Sequence, residues 1–319
     1  MTVPDNKEEI RRSFSQAGVP LRDKLREALS IFMVDFHQHY FGSSGLPEIL
    51  SGIEEYPKLW AEFGGGGDWS QAKVLEIGYG PRATRLIAMI SLGIDARGID
   101  VDLPVLAGRF NEFARIYRTN GLERALKSAV GYFCFGLLER RRLTRELAKR
   151  GCCLRTDASR FLVGDAAATD FAGGTFDLIV SENVFEHIAE NSLHALVPKM
   201  ARWLKPAGLA LIRLDVFTGL RGGHLAEWFQ IGEPGTRRRS EPWEHLRKKR
   251  FHPNTYLNKL SRADYRNMFS KHFHILEEKV MDSNLARRYL TPDIARELRG
   301  YSEEELLGGN VLFVMRSRT

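Results

Sequence analysis

Glu76-Ile77-Gly78-Tyr79-Gly80 sets a carboxylate two residues ahead of a glycine pair, and Asp100 follows 22 positions after Gly78. Glycine lets a backbone approach a ligand closely and take up left-handed turns. An acid about 20 residues further on can accept hydrogen bonds from ribose hydroxyls. Gly78-x-Gly80-x-x-Ala83 with Asp100 therefore reads as a nucleotide site, and alone it satisfies a dinucleotide fingerprint. Glu76 would crowd a pyrophosphate but can organise a cationic amino-acid group. Asp165, followed by Ala166-Ala167-Ala168, can accept a hydrogen bond from an adenine amino group, with small neighbours that leave room for the ring.

The imidazoles are a second set. His187 lies just past a buried apolar run, and its ordinary pKa near neutrality suits proton transfer. Orienting its own loop by hydrogen bonding is the alternative. His224, in Gly222-Gly223-His224, falls in a segment placed where lids sit. His37, Tyr40 and His245 are further candidates for lining a pocket, as is Asp215, although a strand-end acid also serves as a helix cap. His37 and His39 are two apart and point to different sides of a helix. Cys134, Cys152 and Cys153 have no zinc spacing. No metal site is expected.

Alternating strands and helices must position these groups. Val74–Ile77 is a short apolar run of the buried-strand type, a helical pattern starts near Ala83, and Ala96–Ile99 leads into Asp100. Arg160–Asp165, Thr175–Val180, Leu209–Asp215, Ile275–Met281 and Val311–Met315 supply five more strands. Helices are expected over Asn191–Leu204, stopped by Lys205-Pro206-Ala207-Gly208, and over Ser261–Phe273 and Thr291–Leu307. The pattern predicts an α/β, doubly wound, mostly parallel sheet with helices on both faces.

Residues 1–70 read as a helical N-terminal extension, with Leu25, Ala28, Leu29, Phe32 and Met33 on one helix face. Residues 71–319 form the core. Two insertions interrupt it, at about 103–155 and 217–256. The first is helical, broken by Gly121 and Gly131, and carries the uncharged run Ala129–Leu138 beside Glu139-Arg140-Arg141-Arg142. Packing against the domain or a twin subunit and contact with a lipid-like substrate are both open there. The second carries Arg237-Arg238-Arg239 and Arg247-Lys248-Lys249-Arg250 among Trp228, Phe229, Trp243, Phe251 and Tyr256. It reads as a solvated loop, as a lid in which Arg237 helps to hold an anionic group, or as a single-stranded RNA surface. No recognisable RNA-binding appendage favours the last, and DNA is not expected as a partner.

With Phe176-Asp177-Leu178-Ile179-Val180, Glu186-His187 and Leu204-Lys205-Pro206-Ala207-Gly208 in that order, residues 72–216 and 261–317 resemble the class I S-adenosylmethionine-dependent methyltransferases. The resemblance implies a Rossmann-like seven-stranded sheet whose last strand runs antiparallel. It implies that Glu76, Gly78, Tyr79 and Gly80 hold the methionine end of S-adenosylmethionine, Asp100 the ribose, and Asp165 with Ala166 the adenine. Glu182 and Asn183 fall where cofactor and acceptor meet, with His187 and His224 as candidate catalytic groups. Arg82, after Pro81, departs from the pattern at a position usually held by a third glycine. The expected reaction is methyl transfer to a small-molecule acceptor, on an oxygen of an anionic, sugar, natural-product or lipid-like compound. An NAD(P)-dependent oxidoreductase, an RNA methyltransferase and a catalytically silent cofactor-binding scaffold are the alternatives.

Composition sets outer bounds. The 319 residues are 43% hydrophobic and 27% charged, with a formal net charge of +7, as in an ordinary globular protein. The charged N-terminus is no secretory signal, and no apolar run approaches the ~20 residues of a membrane span. A cytoplasmic location is expected.

Overall fold

The computed structural model describes residues 45–228, 240–250, 255–281 and 283–318, together with Leu29, Phe32, Met33 and Phe36. Seven strands form one sheet: β1 Lys73–Ile77, β2 Asp95–Asp100, β3 Phe161–Val163, β4 Phe176–Glu182, β5 Leu204–Asp215, β6 Phe273–Val280 and β7 Asn310–Ser317. Their order is β3-β2-β1-β4-β5-β7-β6. The strands from β3 to β5 are parallel, and β7 runs antiparallel to both β5 and β6.

Strand alternation assigns the two faces. Leu75, Ile77 and Ile179 pack with Leu193, Leu196, Met200 and Trp203 of α6 (Glu190–Trp203) and with Tyr265 and Phe269 of α8 (Arg262–Ser270). Val74, Leu178 and Val180 face the other way, onto α1 (Leu46–Glu62), α2 (Thr84–Ser91) and α5 (Leu137–Lys149). Glu76 shares the parity of Val74, so its carboxylate enters the layer beneath α1 and α2. Asp177 fastens the opposite end of the sheet, accepting from the Lys73 amide at 2.9 Å and from Lys205 Nζ at 2.7 Å.

The first insertion holds α3 (Phe110–Asn120), α4 (Leu122–Gly131), a π turn over Tyr132–Gly136, and α5. Gly121 breaks the chain between helices with φ 88°, as expected. Gly131 does not: its φ of −60° and ψ of −40° are helical, and the chain runs through it into the π turn. Leu122, Leu126, Val130, Phe133 and Leu137 are exposed along this run. Phe32 packs its ring 5.2 Å from Phe135, so the N-terminal extension touches the insertion.

The second insertion is better packed than its charges imply. Trp228 and Trp243 are buried with Ala286, Ile294, Leu298, Leu306 and Leu307, from three short helices at Ser283–Arg287, Pro292–Glu297 and Glu303–Leu307. The stretch expected as one helix over 291–307 is thus divided. It replaces a simple β6–β7 hairpin because it supplies the apolar floor for these tryptophans. The Trp243 indole donates to Thr218 O at 3.2 Å, and α7 (Glu244–Arg247) begins directly after it. Arg247 bonds both oxygens of Glu297 at 2.6 and 2.7 Å, and Arg250 reaches Glu244 at 2.7 Å. Neither tryptophan offers a stacking face, and the basic run 247–250 is largely spent on neighbouring acids. Arg237 lies outside the described residues. Replacing Trp243 with Ala should cost about 3–5 kcal/mol, the usual range for a fully buried tryptophan, seen as a lower urea midpoint with the slope unchanged.

Candidate functional site

The β1–α2 turn is built on left-handed backbone. Gly78 has φ 82° and Gly80 φ 68°. A Cβ on Gly78 would lie 2.4 Å from Val184, whereas one on Gly80 would meet nothing within 4 Å, so the second glycine opens onto a cradle. The Gly78 amide donates to Ile99 O at 2.8 Å and the Gly80 amide to Asp100 Oδ2 at 2.7 Å, tying the turn to the end of β2. Asp100 Oδ1 accepts the Asp102 amide at 2.8 Å. Burial pushes the Asp100 carboxyl up to about 6, with the Gly80 amide and Arg124 opposing the rise.

Tyr79 contributes only backbone to this cradle. Its ring is buried edge-on to Phe161, and its hydroxyl donates to Leu162 O at 2.9 Å and Asp102 O at 3.1 Å. Beyond β3, Asp165 Oδ1 accepts the Ala167 amide at 2.8 Å, and Ala166 and Ala167 are buried.

Glu76 is 1% exposed. Arg85, in the first turn of α2, reaches its Oε1 at 3.4 Å and Glu182 Oε2 at 2.7 Å. Tyr56 of α1 donates to Glu182 Oε1 at 3.3 Å. Burial raises the Glu76 carboxyl to about 7 despite Arg85, with Glu182 adding to the rise. Glu76 Oε2 is buried and accepts no hydrogen bond from the described residues. An acceptor left bare costs about 1–3 kcal/mol, so this oxygen suits a donor arriving with a ligand, such as an ammonium group.

Asn183, at φ 56°, turns the chain out of β4. Its side-chain oxygen takes a 3.3 Å bond from Asn310 Nδ2, which also donates to Asp215 Oδ1 at 2.9 Å. Asp215 stands 3.7 Å from Arg221. Past Asn183, a single 3-10 turn, Phe185–His187, sets His187 Nδ1 2.9 Å from Tyr256 O. The His224 ring lies edge-on to it, centroids 4.9 Å apart, on left-handed backbone at φ 50°. His187 and His224, 37 residues apart in sequence, thus come together beside Asp215 and Glu186. Burial holds His187 below the usual imidazole range and lowers His224 to about 3, helped by His187, His245 and Arg221. Burial, with Asp215 nearby, pushes Glu186 up to about 8.

His245 stands behind this cluster. Its Nε2 lies 2.7 Å from Phe217 O, and a Cβ on Gly223 would meet its ring at 2.7 Å, so it supports the turn that carries His224. His37 and Tyr40 lie outside the described residues. Arg85, Glu186, Arg221 and Asn310 are candidate-site residues that spacing does not single out. Only the adjacency of Glu186 to His187 was a usable signal.

Two carboxylates near the carboxyl ends of β1 and β2, an open glycine cradle, and an antiparallel β7 inserted between β5 and β6 match the arrangement that the resemblance to the class I methyltransferases implies. Residues 139–212, from α5 to β5, match the family described as "Methyltransferase domain". Over those residues the chain is similar to a methyltransferase domain. An uncharacterized methyltransferase of Mycolicibacterium gilvum is 37% identical over 67 residues, which cover 21% of this chain and 26% of that protein. The match thus spans about a quarter of the relative's length. Among solved structures, a Pyrococcus horikoshii protein aligns at 15% identity and TM-score 0.44, covering 88% of this chain and 96% of its own. A putative S-adenosylmethionine-dependent methyltransferase of Listeria monocytogenes aligns at 14% and 0.43, covering 85% and 99%.

Glu76 takes up its proton more readily folded than unfolded, about 7 against an ordinary 4.5. Its contribution to stability is therefore largest below pH ~4.5 and falls as the pH rises to ~7. Arg85→Met removes the cation between Glu76 and Glu182. The loss should be about 3–5 kcal/mol at pH 8 and clearly smaller at pH 5, where Glu76 is protonated, by urea unfolding at both pH values. Affinity for S-adenosylhomocysteine should rise with pH as Asp100 and then Glu76 ionise, near pH 6 and 7; calorimetry between pH 5.5 and 8 checks the direction.

Proposed function

We propose that the chain transfers a methyl group from S-adenosylmethionine to a small-molecule acceptor, on an oxygen, with the acceptor held where β4 and β5 end. The observation that carries the reading is the pairing of two sites on adjacent strand ends: the Glu76–Gly80–Asp100 cradle and the Glu186–His187–Asp215–His224 cluster. Glu76 would take the ammonium through its bare Oε2, the Gly78–Gly80 turn the amino-acid backbone, Asp100 the ribose hydroxyls, and Asp165 with Ala166 the adenine. When bound, S-adenosylmethionine supplies a methyl group on a positively charged sulfur, already activated for displacement.

The chain's own work is then alignment and proton handling. Holding two reactants in line is worth up to about 7–11 kcal/mol in favourable cases. Asn183 and Asp215, joined through Asn310, give the acceptor pocket a rigid polar edge. His187 and His224 bring two imidazole rings to it, centroids 4.9 Å apart. An imidazole nitrogen of this cluster would accept the proton of the acceptor hydroxyl as its oxygen takes up the methyl group. An anionic, sugar-like or lipid-like acceptor fits the neighbouring arginines and the exposed apolar run of the first insertion.

Asp100→Ala should weaken S-adenosylhomocysteine binding at least tenfold while the thermal transition is kept. His187→Ala should leave that affinity within twofold and lower turnover about 10²–10⁴-fold once an acceptor is in hand. Saturable binding of NAD(P) but not of S-adenosylhomocysteine would refute the reading.

A further inference from the structure

We propose that Glu186, His187 and His224 bind one divalent transition-metal ion of zinc's coordination chemistry at the acceptor end of the sheet. Each side chain offers one ligand atom, and the three atoms lie within 4.8 Å of one another. Around an ion with ~2.1 Å bonds at tetrahedral angles, ligand atoms sit about 3.4 Å apart. Binding would draw the side chains inward by about an ångström or a little more.

Three local features are those of a ligand set. A carbonyl only accepts, so the 2.9 Å contact with Tyr256 O places the His187 proton on Nδ1 and leaves the Nε2 lone pair bare. A backbone carbonyl fixing the tautomer in this way is the usual support for a metal-binding imidazole. Glu186 is 3% exposed; its Oε1 takes the Asp215 amide at 3.3 Å, and its Oε2 is buried with no hydrogen-bond partner among the described residues. A cation would satisfy that oxygen. The Gly222-Gly223 turn, braced by His245, brings His224 across to this pair at the expense of left-handed backbone.

Two imidazole nitrogens with one carboxylate oxygen suit Zn²⁺, Fe²⁺ or Co²⁺, whereas Mg²⁺ and Ca²⁺ favour oxygen throughout. Three protein ligands leave a position open, the arrangement of catalytic sites. The role of the ion rests on the methyltransferase reading; its binding does not. An acceptor hydroxyl in the open position would lose its proton to solvent more easily. The oxygen would then bond to the methyl carbon as the carbon–sulfur pair returns to sulfur. This narrows the acceptor to a hydroxyl compound able to ligate a metal.

The test is calorimetry of chelator-treated full-length protein with Zn²⁺ alone, for the wild type, His224→Asn and His194→Asn. Asparagine tolerates the left-handed backbone of position 224, and His194 is a surface residue paired with Glu190. One saturable site is expected in the wild type and in His194→Asn, with affinity at least tenfold weaker in His224→Asn. Absence of a 1:1 site, or equal affinity in all three, overturns the proposal. Should His224→Asn fail to fold, the visible spectrum of the wild type with one equivalent of Co²⁺ decides. Intense four- or five-coordinate bands support the site, and the pale octahedral spectrum of hydrated cobalt overturns it. Titrating S-adenosylhomocysteine in parallel separates the two readings. Cofactor binding without metal binding sinks only the metal site, and metal binding without cofactor binding sinks only the methyltransferase reading.

Discussion

Arg85 lies between two buried carboxylates, and the candidate active site is arranged around that contact. Glu76 is the penultimate residue of β1 and Glu182 the last of β4, neighbouring parallel strands whose side chains at this level face the same helical layer. Without a cation between them, two acids at that depth would repel and take up protons. Arg85 draws both together from the first turn of α2, directly after the glycine turn. Its reach to Glu182 is short and its reach to Glu76 longer, so Glu76 is only partly compensated and keeps one bare oxygen. The same contact thus secures the turn against the sheet and leaves an acceptor poised for a charged ligand.

From Glu182 the polar contacts continue across the sheet. Arg213 of β5 lies 3.9 Å from Glu182 and donates to Asn310 Oδ1 at 2.7 Å. Asn310 opens β7 and bonds Asp215 and Asn183. The antiparallel strand thereby supplies the residue that joins Arg213, beside Glu182, to Asn183 and Asp215. A parallel strand at that place would present its other end. Strand direction is therefore part of the site as well as part of the fold.

The β1–turn–α2–β2 unit, Asp165 after β3 and the closing β7 were legible because each rests on local rules: apolar runs, positive-φ glycine, an acid at a strand end. Gly131 was misread because a glycine inside a helix costs only about 1 kcal/mol, which packing of the insertion overrides. The aromatic-rich second insertion resembled a binding surface because composition does not reveal burial; Trp228 and Trp243 are core. The meeting of His187 with His224 depends on how the second insertion folds back over β5, and no spacing encodes that. Spacing does not mark Arg85, since its two partners are 9 and 97 residues away.

The central claim is that Glu76, held by Arg85, reads the amino group of the cofactor. The direct measurement compares binding of S-adenosylhomocysteine with that of its analogue lacking the amino group, in the wild type and in Glu76→Gln. The account predicts a large preference for the amino compound in the wild type, mostly abolished by Glu76→Gln, as a coupled pair requires. An equal preference in both proteins would contradict it.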